Sequence, residues 1–264
     1  MIDHEFRIVT PVLLDLLKKK SQQEKTLIGK IPIFITKNNY LNNANKDYLK
    51  QAKLIKGVYF RGLPINNKKK YFDQEIQLEE SFLKMNENLC LNVKGNQIVQ
   101  IPNPDLVSFS LFKKNLEKIR KFYGFEVIPS WHNKNINDKS YNKFLNFIQE
   151  TGLPLSLEID YFYRSSNDSI HNFFKIIKNF PKIRYWLPHL GCGIFLHWNK
   201  VMEFCKYKPI LLSSTNDLFR WKKILNKNFL KNLPIKYASD HPFNGLNSLK
   251  IYKTWLKKFK VIKK

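Results

Sequence analysis

Cysteine is nearly absent from this chain of 264 residues: Cys90, Cys192 and Cys205 are the only three. An odd number without ligand-like spacing excludes a disulfide framework and a cysteine-based zinc site, and suits a reducing compartment. No apolar run approaches the ~18 residues that a transmembrane helix needs. The opening Met1-Ile2-Asp3-His4-Glu5-Phe6-Arg7 carries charge where a secretory leader has its apolar stretch, so a soluble cytoplasmic protein is expected. Arginine is scarce as well, with six residues among 46 basic ones, so the net charge of +25 is nearly all lysine. Nucleic-acid readers lean on arginine for bidentate contacts, and lysine runs such as Lys18-Lys19-Lys20 read as solvated helix faces. Abundant Asn, Ile, Phe and Tyr beside few Gly and Ala mark a lysine-rich coding bias. The expected partner is a small-molecule substrate, with no specific nucleic acid and no membrane; nothing in the sequence opposes a homodimer.

What is present is core material. Hydrophobic residues make up 43% of the chain and aromatics 14%, which excludes wholesale disorder. Short apolar or β-branched runs recur at Ile2–Ile8, Gly57–Phe60, Gln97–Ile101, Phe125–Ser130, Leu155–Ile159, Arg184–Pro188, Pro209–Ser213 and Lys236–Ala238. From the third run onward the spacing is roughly 25 to 30 residues, the length of one strand, a crossover helix and two loops. Amphipathic stretches fill the gaps at Leu106–Phe122, Ser140–Thr151, Ile170–Asn179, Asp217–Asn226 and Leu246–Phe259. In the second of these, Tyr141, Phe144, Leu145 and Ile148 form one helix face, Gly152 suits a left-handed cap and Pro154 blocks continuation. Eight strand-like runs alternating with helices predict an α/β fold, a single (β/α)₈ TIM barrel over 1–264. Residues 27–56 and 62–96 break the spacing and are expected to be insertions or lid segments after strands one and two.

Active sites of such barrels lie at the C-terminal ends of the strands. Those ends offer Glu5 and Arg7, Arg61, His132, Glu158, His189 and Asp240. A carboxylate such as Glu158 beside an apolar strand must find a partner somewhere.

Four blocks resemble the amidohydrolase superfamily, in its amidohydrolase-related (family 2) branch. Phe180-Pro181-Lys182-Ile183-Arg184 followed by Leu187-Pro188-His189-Leu190-Gly191-Cys192-Gly193 is similar to its P-x-hydrophobic…H-x-G-G block. Tyr237-Ala238-Ser239-Asp240-His241-Pro242 resembles the G-S-D-x-P block of strand eight, Thr151-Gly152-Leu153-Pro154-Leu155 the G-L-P-V opening of strand five, and Met1-Ile2-Asp3 the family start. The blocks fall in family order across nearly the whole chain.

The departures are as informative. Where the family carries I-D-x-H-x-H, this chain has Glu5 and Arg7, and Glu158 replaces a histidine ligand at strand five; only His189 and Asp240 match. The resemblance implies either one divalent metal, zinc or manganese, held by Glu5, Glu158, His189 and Asp240, or no metal, with Arg7 supplying the positive charge. The family's metal-independent lactonases allow the second, and a guanidinium that cannot shed its charge to become a ligand favours it. The expected reaction is hydrolysis of an amide, ester or lactone in a small anionic substrate. Asp240 would activate water while His189 and Arg7 polarise the carbonyl, and Arg61, His132 and Glu158 would bind substrate. Non-oxidative decarboxylation is the alternative within the family. A degenerate barrel kept as a binding protein is the rival outside it, although replacement by Glu and Arg retains charge where decay would leave small neutral residues.

Overall fold

The computed structural model describes residues 2–8, 55–63, 65, 67–88, 92–158, 166–191, 210–213 and 235–238. Eight strands are present: β1 Ile2–Arg7, β2 Gly57–Arg61, β3 Lys94–Gln100, β4 Gly124–Val127, β5 Pro154–Leu157, β6 Arg184–Leu187, β7 Ile210–Ser213 and β8 Ile235–Tyr237. They lie side by side in sequence order, every adjacent pair parallel. β8 returns against β1, so the sheet curls into a nearly closed (β/α)₈ barrel. Among the described residues the crossover helices are α1 Lys68–Asn88, α2 Phe109–Leu116, α3 Asn142–Thr151 and α4 Ser166–Asn179. No described helix is long and apolar enough to cross a membrane.

Local chemistry sets the element ends. The Ser108 hydroxyl accepts from the Leu111 N–H at 3.3 Å and caps α2. Gly152, at φ 65°, ends α3 in the left-handed region, and Pro154 opens β5. Alternation along each strand divides the interior into two layers. Val99, Phe125, Val127, Leu155 and Leu157 join Phe112, Phe144 and Ile148 in a continuous core between sheet and helices. Ile98, Trp186 and Leu212 form a smaller inner cluster with Tyr59 and Tyr123. Above that cluster the barrel interior turns polar, and fully buried Gln100, Glu126 and Ser156 stand in register across β3, β4 and β5.

Within 62–96, α1 occupies 68–88 and connects β2 to β3, its buried face carrying Tyr71, Gln74, Glu75, Leu78, Phe82 and Asn86. Gln74, Glu75 and Asn86 on that face masked its amphipathic period in the sequence. Nearly all of 27–56, like the stretches Asp217–Asn226 and Leu246–Phe259, lies outside the described residues.

Candidate active site

The C-terminal ends of six strands converge on a chain of ion pairs. Arg7, at the end of β1, is 4% exposed and reaches two carboxylates. Its Nη1 donates to Glu126 Oε2 at 2.9 Å and its Nη2 to Glu158 Oε2 at 3.5 Å. Arg61, in register with Arg7 on β2, is fully buried and donates to the other oxygen of Glu126, to Ser156 Oγ at 2.9 Å and to the His4 carbonyl. Glu126 thus bridges two guanidiniums and also accepts from Ser156 Oγ, at 3.2 Å, and from the Gln100 amide. Burial alone would raise the Glu126 carboxyl; the charges of Arg61 and Arg7 overcome it and hold the group down at about 2.

The outer end of the chain is open to solvent. Glu158 follows β5 and is 18% exposed; His189 follows β6 and is 21% exposed, its Nε2 lying 3.9 Å from Glu158 Oε1. His189 sits at φ 52°, a left-handed conformation that a side chain larger than glycine adopts at some cost and that recurs at functional sites. A route therefore runs from solvent inward: His189, Glu158, Arg7, Glu126, Arg61.

Of the residues singled out in the sequence, Arg7, Glu158 and His189 are brought together. Arg61 lies beneath them, buried among Glu126, Ser156 and the His4 carbonyl and away from solvent. His132 is placed apart from the ionic chain, in a 3-10 turn over Pro129–His132 after β4. Its Nδ1 shares a 2.6 Å hydrogen bond with the Tyr141 hydroxyl, and its Nε2 is buried without a partner among the described residues. Burial lowers its imidazole to about 4. The Glu5 side chain and all of Asp240 lie outside the described residues.

Glu126, the hub, was not among the candidates. It stands in Phe125-Glu126-Val127-Ile128, a lone carboxylate in an apolar strand, and the argument that picks out Glu158 applies to it with more force. Gln100 and Ser156 carried no such signal, because neutral polar residues in strands are common on solvent faces.

Several solved structures share this fold. A manganese-bound 5-carboxyvanillate decarboxylase from Novosphingobium aromaticivorans, carrying 3-methoxy-4-hydroxy-5-nitrobenzoic acid, superposes with a TM-score of 0.68 at 8% identity, over 99% of this chain and 93% of that one. A 4-oxalomesaconate hydratase from Rhodopseudomonas palustris gives 0.61 at 10%, over 100% and 90%. An amidohydrolase II gives 0.58 at 10%, over 99% and 94%. The chain shares the barrel fold of these proteins. At these identities the likeness is one of fold; no family model and no curated protein matches the sequence.

Manganese in one of these barrels raises the question of whether the residues here suit such an ion. Among the described residues no three His, Cys, Asp or Glu side chains stand close enough together to hold one. The chemistry of the donors points the same way, because Glu158 is already paired with a guanidinium and Glu126 with two. A divalent ion joining Glu158 would sit beside the permanent charge of Arg7. At an effective dielectric of about 20, that repulsion is worth several kcal/mol. The described donor set does not fit a divalent metal.

Proposed function

We propose that this barrel is an enzyme that removes CO₂ from a small unsaturated or aromatic carboxylate without redox change, using guanidinium rather than metal charge. The observation that carries the reading is the route from His189 through Glu158 to Arg7. Through Glu158 it links a part-exposed group able to hold a proton to a buried fixed cation, at an end of the ionic chain that opens to solvent among the described residues. An imidazole beside a carboxylate is suited to taking up and passing on a proton near neutral pH. Decarboxylases recur among the barrels of this fold, which supports decarboxylation over hydrolysis.

In this reading the substrate carboxylate faces Arg7 and His189. Asp240, next after Ser239 beyond β8 in the sequence, or His189 delivers a proton to the carbon that bears the carboxylate. The C–C bond then breaks, its electron pair restores the conjugated system, CO₂ departs, and the acid regains a proton from water. Glu158 aligns His189 and Arg7. Arg61 holds Glu126 from beneath, and His132 stiffens the wall after β4.

Hydrolysis of a lactone or amide through water activated by Asp240 is the second reading, favoured by the amidohydrolase II of like fold. A panel of hydroxybenzoates, unsaturated dicarboxylates, lactones and amides separates the two, read by CO₂ release and by acid formation. CO₂ release lost about 100-fold or more in His189→Asn and Asp240→Asn is expected. Acid formation without CO₂ would favour hydrolysis, and neither product would leave a binding protein.

A further inference from the structure

Where β3 parts from β2, helix α1 takes over the backbone hydrogen bonding. Pairing of β2 with β3 begins at Gly57 with Lys94 and ends at Phe60 with Gln97. Past that point α1 stands in for the missing strand. On the β2 side, the Gln74 amide accepts from the Leu63 N–H at 3.4 Å and donates to the Leu63 carbonyl at 2.8 Å. On the β3 side, the Gln100 N–H donates to Glu75 Oε2 at 3.4 Å and the Tyr71 hydroxyl donates to the Gln100 carbonyl at 2.6 Å. Gln97 Nε2 donates to the Glu75 carbonyl at 2.9 Å, and Gln74 Nε2 to Glu75 Oε1 at 3.2 Å. Gly62 makes room for this wedge, since a Cβ there would come within 2.3 Å of Gln74 Nε2.

Gln100 faces two ways. Its backbone is gripped by Tyr71 and Glu75, while its side-chain amide donates inward to Glu126 and to the Gly62 carbonyl, the latter at 3.2 Å. We propose that Glu75 is a positioning residue: acting through Gln100, it sets the amide that fixes Glu126 and thereby the Arg7–Arg61 pair. The inference rests on the ionic chain being the working end of the barrel, though not on which reaction occurs there.

The surroundings of Glu75 explain how it could do so. The side chain is buried and, among the described residues, paired with no cation. The titratable groups facing it are Tyr71 from its own helix and Glu126 from β4; Gln97 and Gln100 on β3, and Phe112, Asn115 and Leu116 on α2, bring no charge. Burial first, and the Glu126 charge after it, push the carboxyl up to about 8. Below that pH Glu75 is a neutral acid; above it, a second buried carboxylate opposes Glu126 across Gln100, and the Gln100 linkage must readjust.

The test needs no substrate. Wild-type protein and Glu75→Gln, labelled with ¹³C at glutamate carboxyls and ¹⁵N at glutamine amides, are titrated by NMR from about pH 6 to 10. The expected result is one wild-type glutamate titrating near pH 8, with the Gln100 side-chain amide and the Glu126 carboxyl moving at the same midpoint. In Glu75→Gln the titration and both movements disappear, and the signals stay at their low-pH positions. A Glu75 titration that moves neither signal, movements that survive in Glu75→Gln, or no glutamate titrating in this range would each overturn the proposal. Because the readout is independent of turnover, failure of the decarboxylase reading would leave it intact.

Discussion

Glu126 is the residue on which the interior charge balance turns. Two buried guanidiniums share its two oxygens, so its loss takes the carboxylate from buried Arg61 and leaves Arg7 to Glu158. Glu126→Gln is expected to lower the unfolding free energy by about 3–5 kcal/mol in urea denaturation, whereas Lys84→Ala, which breaks an exposed pair on α1, should leave it nearly unchanged. The pH dependence follows from the same group. Its folded pKa, about 2, lies below the ordinary 4.5, so its contribution is present above pH 4.5 and is lost as pH falls towards 2. His4 and His132, both lowered by burial to about 4 from 6.5, add a loss that begins sooner, as pH falls from 6.5 through 4. Thermal unfolding followed from pH 7 to 3 should show a decline starting above pH 5, and His132→Asn should flatten its upper part.

At the scale of elements, α1 and α3 show two kinds of legibility. The α3 face of Phe144, Leu145 and Ile148, its Gly152 stop and the Pro154 start of β5 were all readable, because apolar period and cap chemistry are local. The α1 helix was not, because Gln74 and Glu75 interrupt its buried face and their partners lie on strands distant in sequence. Glu126 was readable in kind, as a lone carboxylate in an apolar strand, but its partners Arg7 and Arg61 are distant in sequence and only the fold brings them near. Strand-end position was enough to expect Arg7, Glu158 and His189 at one mouth, while the ion pair of Arg7 with Glu158 needed the structure. Two predictions belong here. Gly152→Ala meets no steric obstacle, yet it must hold φ 65° with a Cβ, so a cost of about 1 kcal/mol in urea denaturation is expected. Glu75→Gln has the opposite sign. The Glu75 folded pKa, about 8, lies above 4.5, so the folded state binds the extra proton and stability falls as pH rises from 4.5 through 8. The variant should therefore melt higher than wild type at pH 8 and equal it near pH 4.

For the whole molecule, a (β/α)₈ barrel carries a buried arginine pair among its mouth carboxylates. Arg7 and Arg61 against Glu126 and Glu158 leave the described core of the site formally neutral without a metal, and the His189 end faces solvent. Arg7→Ala would then remove the cation that keeps a metal from Glu158, and a gain of manganese affinity in that variant is the expected by-product. The most direct measurement is the binding of manganese to the wild-type protein, by elemental analysis after purification without chelators and by melting temperature with and without millimolar Mn²⁺. The account predicts well under one-tenth equivalent of metal per chain and an unchanged melting temperature. Close to one equivalent, with a melting temperature that rises with Mn²⁺, would contradict it.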